Sequence, residues 1–132
     1  KYMKFLNPNG WPRPRGYSNG VSAEGRLVFL AGQVGSTPNG EFAPDFSGQI
    51  RLTLENTVAV LAEAGAGPEH ITRMTWYVTD FNKYVDAIKS VGAAYSDIIG
   101  KHYPAMTLLE VSRLVYEDAL LEIETTAVIP SE

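Results

Sequence analysis

Two stretches of this sequence repeat their apolar residues at the spacing of an α-helix, and that pair of stripes limits the architectures open to the chain. Ile50, Leu54, Val58 and Leu61 recur four, four and three apart. Tyr84, Ile88, Val91, Tyr95 and Ile98 recur four, three, four and three apart. Each set falls on one face of a helix. Asp45 or Ser47 predicts the cap of the first and Asn82 that of the second. Gly65-Ala66-Gly67-Pro68 and Gly100 predict the ends.

Elsewhere the period falls to two. Met74, Trp76 and Val78 alternate with Arg73, Thr75 and Tyr77, so Ile71–Thr79 predicts a strand. Ala105–Ser112 and Leu120–Ile129, joined through Glu117 and Asp118, predict two more. Val21–Ala23 and Leu27–Ala31, flanking Glu24-Gly25-Arg26, predict a β-hairpin. The first twenty residues carry Pro8, Gly10, Pro12, Pro14, Gly16 and Gly20. They predict an extended arm, weighted by Trp11 and Tyr17, that packs on the body.

Two amphipathic helices cover only one face of such a sheet. The 132 residues therefore predict a single α+β domain, 1–132, with a mixed sheet, two helices on one face and a bare second face. On the last strand Leu121, Ile123, Thr125 and Ala127 are expected to meet the helices, with Glu122, Glu124, Thr126 and Val128 opposite. Some of Trp76, Tyr77, Leu108 and Leu109 should join them there. Aromatic and apolar residues on a bare face predict burial against another subunit. A carboxylate caught in that contact is partly desolvated, which makes a glutamate a base useful near neutral pH.

Composition excludes several kinds of chemistry. There is no cysteine, so disulfides, thiolate nucleophiles and iron–sulfur clusters are ruled out, and a reducing cytoplasm is the expected location. Eleven basic against fifteen acidic residues give a net charge of −4, which argues against nucleic acid as a partner. No apolar run approaches the ~20 residues of a membrane span, and no signal-peptide core follows Lys1–Phe5. His70 and His102, the only histidines, lack convergent partners for a metal. Gly32 and Gly35 do not have the spacing of a phosphate-binding loop. No cofactor is expected.

Five motifs in register identify a resemblance. Arg15-Gly16-Tyr17-Ser18, Leu30-Ala31-Gly32-Gln33-Val34, Asn56, Tyr103-Pro104-Ala105 and Glu122-Ile123-Glu124 together resemble the Rid (YjgF-like) reactive-intermediate deaminase family over nearly the whole chain. The resemblance implies a chorismate-mutase-like fold, a homotrimer and three pockets at the subunit contacts. It also implies cofactor-free hydrolysis of reactive enamines and imines to a carbonyl compound and ammonia. The family pocket uses a tyrosine, a serine, an arginine two residues after the proline, and the first glutamate of Glu-Ile-Glu. Tyr17 and Glu122 match two of these. Ala31 stands at the serine position, and Met106 at that of the arginine, which grips a substrate carboxylate through charge-assisted hydrogen bonds that methionine cannot make. The chain thus resembles the arginine-lacking subgroups.

Glu122 is the expected catalytic base, against the ordinary alternative of a salt bridge across subunits; Glu124 is expected to be structural. Tyr17 either bonds substrate or water, or fills the interface. Arg15, two residues earlier, can supply positive charge to the pocket or remain a solvated surface residue. Ala31, Gly32 and Met106 are expected to line the pocket, and His102 to reach its rim or stay in a solvated loop. Asn56 is expected to fix a neighbouring loop. The alternative to an imine deaminase is a non-catalytic trimer that binds a small metabolite. RNA cleavage is the weakest reading, given the acidic charge.

Overall fold

The computed structural model describes residues 1–132. Six strands and three helices follow the order β1 (Met3–Leu6), β2 (Gly20–Ala23), β3 (Arg26–Val34), α1 (Phe46–Glu63), β4 (Ile71–Val78), α2 (Phe81–Asp86), α3 (Ile88–Ile98), β5 (Ala105–Glu110) and β6 (Leu121–Ile129). The main sheet is ordered β3-β6-β4-β5. It is mixed: β6 runs antiparallel to both neighbours, and β4 and β5 are parallel. That parallel pair needs a long crossover, which α2 and α3 provide.

The alternation read from β6 holds from Leu121 to Ala127; Val128, expected with the exposed set, is 6% exposed. Leu121, Ile123 and Ala127 are fully buried, together with Met74, Trp76 and Val78 of β4 and Ile50, Leu54 and Leu61 of α1. Burying each of the leucines, isoleucines, Val78 and Met74 contributes about 1.5–3 kcal/mol against leaving it exposed. The second face is bare. Phe29 is 72% and Leu27 57% exposed, with Leu109 also exposed. Of the four residues considered for that face, Tyr77 and Leu109 occupy it; Trp76 and Leu108 point to the helices.

Of the four buried polar residues, Gln49, Thr53 and Thr57 are paired, while the Thr125 hydroxyl has no partner. Thr53 and Thr57 donate to the carbonyls one turn back, Gln49 O and Thr53 O, which lets hydroxyls sit on a buried helix face. Gln49, 2% exposed, donates to Ala43 O and Asp118 O, each at 2.9 Å, and accepts from Leu120 N–H at 2.8 Å. It thereby pins the long β5–β6 connection to α1. Asn56 donates to Val34 O and Ser36 O, each at 2.9 Å, fixing the loop after β3 as expected.

Four local expectations are corrected. The hairpin across Glu24-Gly25-Arg26 does not form: β2 pairs with β1, inside the supposed arm, while β3 leaves to pair with β6. Gly25 makes that departure at φ 149°, where a side chain would collide with the Ile129 carbonyl. Asp80 caps α2, accepting from Asn82 N–H, and Asp45 rather than Ser47 caps α1. The second helix is broken at Ala87, whose ψ of 11° leaves the helical range, so the chain has three helices, not two, and the short α2 buries no residue. Lastly, β5 ends at Glu110, since beyond Val111, which still bonds Val78 O, the chain turns away to be held by Gln49.

Candidate functional site

Backbone docking builds the first half of the site. Ser18 N–H donates to Pro104 O at 2.9 Å and its hydroxyl to Tyr103 O at 2.5 Å, beside a parallel bridge to Ala105. The segment 15–18 is thus laid along the start of β5. Arg15, Tyr17 and Met106 are brought to one cavity of about 560 Å³, walled by the rings of Trp76, Tyr95 and Tyr103. Tyr95 and Tyr103 stack with centroids 5.6 Å apart and planes 13° apart. Tyr95 donates to His102 O at 2.5 Å. Burial, then the neighbouring Tyr103, holds its phenol well above the ordinary value, so this wall stays neutral.

The second half lies on the bare face. Glu122 stands in register between Tyr77 of β4 and Val34 of β3. Its side chain is half-buried and lies over Gly32, so that a Cβ built at position 32 would sit 2.7 Å from Glu122 Cγ. A side chain at position 32 would have to displace the carboxylate from this place. Glu124, one side-chain step along, is exposed and accepts from the Tyr77 hydroxyl at 2.5 Å. That hydrogen bond, then desolvation and the charges of Glu124 and Glu122, pushes the Tyr77 phenol upward. Glu124 therefore has a donor of its own, while the Glu122 side chain makes no hydrogen bond or ion pair within the chain.

The expected site residues are divided between these halves. Arg15, Tyr17 and Met106 share the edge cavity. Glu122 and Gly32 belong to the opposite side of the sheet, with Ala31 beside them at the irregularity in the β3–β6 pairing. Met106 pairs with Met74, whose side chain is buried under the helices, whereas Glu122 pairs with Tyr77 on the bare face. His102 lines neither; its Nε2 lies 2.7 Å from Ile71 O and its ring packs edge-on against Phe5. It flanks a smaller recess with Arg13, Tyr17 and Lys101. Sequence reasoning missed Trp76 and Tyr95 as cavity walls. The signal was the density of aromatic residues at 76, 84, 95 and 103, which helical spacing alone reads as core.

No group of three or more His, Asp or Glu side chains is placed to hold a metal ion, and no helix is long and apolar enough to cross a membrane. The ionisable groups in the two halves include the Glu122 carboxylate, the phenols of Tyr17, Tyr95 and Tyr103, and Arg15.

A mixed sheet with helices on one face, a bare second face and a carboxylate on it define a class of small α+β protein with candidate acid–base chemistry. Residues 12–129 match the family described as Endoribonuclease L-PSP, and the chain belongs to this Rid (YjgF-like) family. It is 35% identical over 116 residues to the putative reactive intermediate deaminase TdcF of Escherichia coli K12, covering 85% of each chain. It is equally 35% identical to the 2-iminobutanoate/2-iminopropanoate deaminase of Salmonella typhimurium, covering 85% of this chain and 86% of that one. The crystal structure of the Rid family protein YyfB from Yersinia pestis superposes with a TM-score of 0.84 at 30% identity, over 98% of this chain and 100% of that one.

Proposed function

We propose that the protein hydrolyses a reactive imine or enamine to a carbonyl compound and ammonia, in a pocket completed where copies of the chain meet as a homotrimer. The observation that carries this reading is the Glu122 carboxylate, half-buried and without a partner in its own chain, on the bare sheet face that also exposes Phe29, Leu27 and Leu109, whereas Glu124 beside it is engaged by Tyr77. Tyr17 and the edge cavity of one copy would face Glu122 and Gly32 of another, since the sheet separates them within one chain. The deaminase names of two relatives agree with this reading.

Hydrolysis then follows from one carboxylate used twice. Glu122 takes a proton from water as its oxygen adds to the C=N carbon, and the nitrogen takes up a proton from solvent, returned to solvent when C=O later forms, to give a carbinolamine. The protonated Glu122 next gives its proton to the amine nitrogen. The C–N bond breaks, the hydroxyl loses its proton as C=O forms, and ammonia leaves.

The test is Glu122→Gln, which keeps size and hydrogen bonding but removes the base. Turnover of an imine generated in situ should fall about a hundredfold or more, and light scattering should still report about three times 14.4 kDa. Glu124→Gln is the control and should lose far less. A parent protein that binds carbonyl products but hydrolyses no imine is a metabolite-binding trimer, the reading that Ala31 and Met106 at the family's serine and arginine positions favour.

A further inference from the structure

The edge cavity offers more room, and less charge, than a three-carbon imino acid needs. At about 560 Å³ it falls within the range that holds drug-sized ligands. Nine of its thirteen lining residues are hydrophobic, and Arg15 is its only charged group. Met106 and Leu108 project from β5 on the same face, side by side with Trp76, so the floor offers apolar and aromatic surface only.

Three details show that the space is real and its walls are unfinished. Ile88 belongs to the apolar stripe of α3 yet is 48% exposed, because it faces the cavity. Gly92, one turn on, would meet nothing within 4 Å if it carried a Cβ. Trp76 is 5% exposed, and its indole N–H has no acceptor in the chain. Buried donors are nearly always paired. An acceptor on a bound molecule would satisfy this one once a wall side chain gives way, since the atom is covered.

Charge points the same way. Arg15 is exposed and absent from the two ion pairs of the chain, Arg51–Asp97 and His70–Glu69. A solvent-exposed guanidinium at the rim holds a carboxylate only weakly. A small imino acid would place its carboxylate against the Met106 and Leu108 floor, where a desolvated charge has no counterpart.

We propose that the site takes a bulky, ring-bearing, largely uncharged imine or enamine, with the ring between the aromatic walls and α3 and a heteroatom toward Trp76. This deepens the deaminase reading and rests on it. The experiment therefore separates binding from turnover. Binding is read by saturation-transfer NMR on the intact oligomer with benzaldehyde, phenylpyruvate and pyruvate. Turnover is read as ammonia release from the benzylamine-derived imine, 2-imino-3-phenylpropanoate and 2-iminopropanoate, each made in situ by an amine or amino-acid oxidase.

Benzaldehyde should bind at least about tenfold more tightly than pyruvate and shift the Trp76 indole resonance, assigned with Trp11→Phe. Gly92→Phe, on an exposed helix position, should abolish that binding and leave the oligomer mass unchanged. Should that variant lose its oligomer mass, Gly92→Leu makes the same test with less added bulk. The aromatic neutral imine should be hydrolysed fastest. Aromatic binding with no imine turned over leaves the ring-bearing, uncharged ligand class standing and sinks the deaminase reading. Turnover of 2-iminopropanoate without benzaldehyde binding overturns the substrate class and leaves the deaminase reading intact. Benzaldehyde binding insensitive to both Gly92 variants also overturns it, because the site is then elsewhere.

Discussion

The Glu122 carboxylate occupies the space that any side chain at Gly32 would need: a Cβ there would lie 2.6 Å from Glu122 Cδ. The glycine thus seats the proposed base against the β3 backbone. Gly32→Ala is expected to push the carboxylate aside and lower imine turnover about tenfold or more, as small misplacements of a catalytic group do. In a cycle with Glu122→Gln, adding Gly32→Ala should cause little further loss. Full additivity would show that Gly32 acts independently of Glu122.

Met106 leads to a second expectation. A bidentate arginine–carboxylate contact is absent, and each charge-assisted bond is worth about 1.5–3 kcal/mol. Hydrolysis of 2-aminoacrylate, followed as keto-acid release from a pyridoxal-dependent dehydratase, should be slower by roughly a hundredfold or more than with an arginine-bearing relative. Robust acceleration would identify another carboxylate contact, with Arg15 the first to test.

Gln49 holds the β5–β6 connection through three hydrogen bonds while 2% exposed. Gln49→Leu keeps the bulk but strands Ala43 O, Asp118 O and Leu120 N–H. Each buried group left unpaired costs about 1–3 kcal/mol, so urea unfolding should show a loss of about 3 kcal/mol or more. A loss under about 1 kcal/mol would mean that water replaces the amide without penalty.

The buried Tyr95 phenol, the most shifted of four raised tyrosines, should weaken the fold at alkaline pH. Its folded pKa is raised above the ordinary value of 10.0 by burial and then by Tyr103. The neutral form is therefore favoured in the fold, and this contribution is fully present below pH 10. It is lost as pH rises from there toward the folded value, because the unfolded chain ionises first. Tyr95→Phe should flatten stability against pH above about 10 and lower it at neutral pH by about 1 kcal/mol, the worth of one hydrogen bond. Unchanged alkaline dependence in the variant would assign the effect to other tyrosines.

Much of the fold was legible because burial imposes periods on the sequence. The stripe from Ile50 to Leu61 and the alternation from Leu121 to Ala127 each mark one buried face, and both stand. Strand pairing was not legible. Val21–Ala23 and Leu27–Ala31 read as a hairpin, yet their partners are Met3–Leu6 and Leu121–Ile129. The break at Ala87 was equally hidden, since Tyr84 and Val91 keep the same stripe across it.

The sequence by itself determined the class of fold, the bare sheet face and the presence of a carboxylate on it, because side-chain direction in helices and strands follows from local backbone geometry alone. Only the tertiary structure decided that Met106 and Glu122 lie on opposite sides of the sheet, and that Tyr77 engages Glu124 and leaves Glu122 free. Only it showed Trp76, Tyr95 and Tyr103 as the walls of one cavity. Those relations depend on which strands pair and in what register, and pairing is chosen by contacts between residues far apart in the chain.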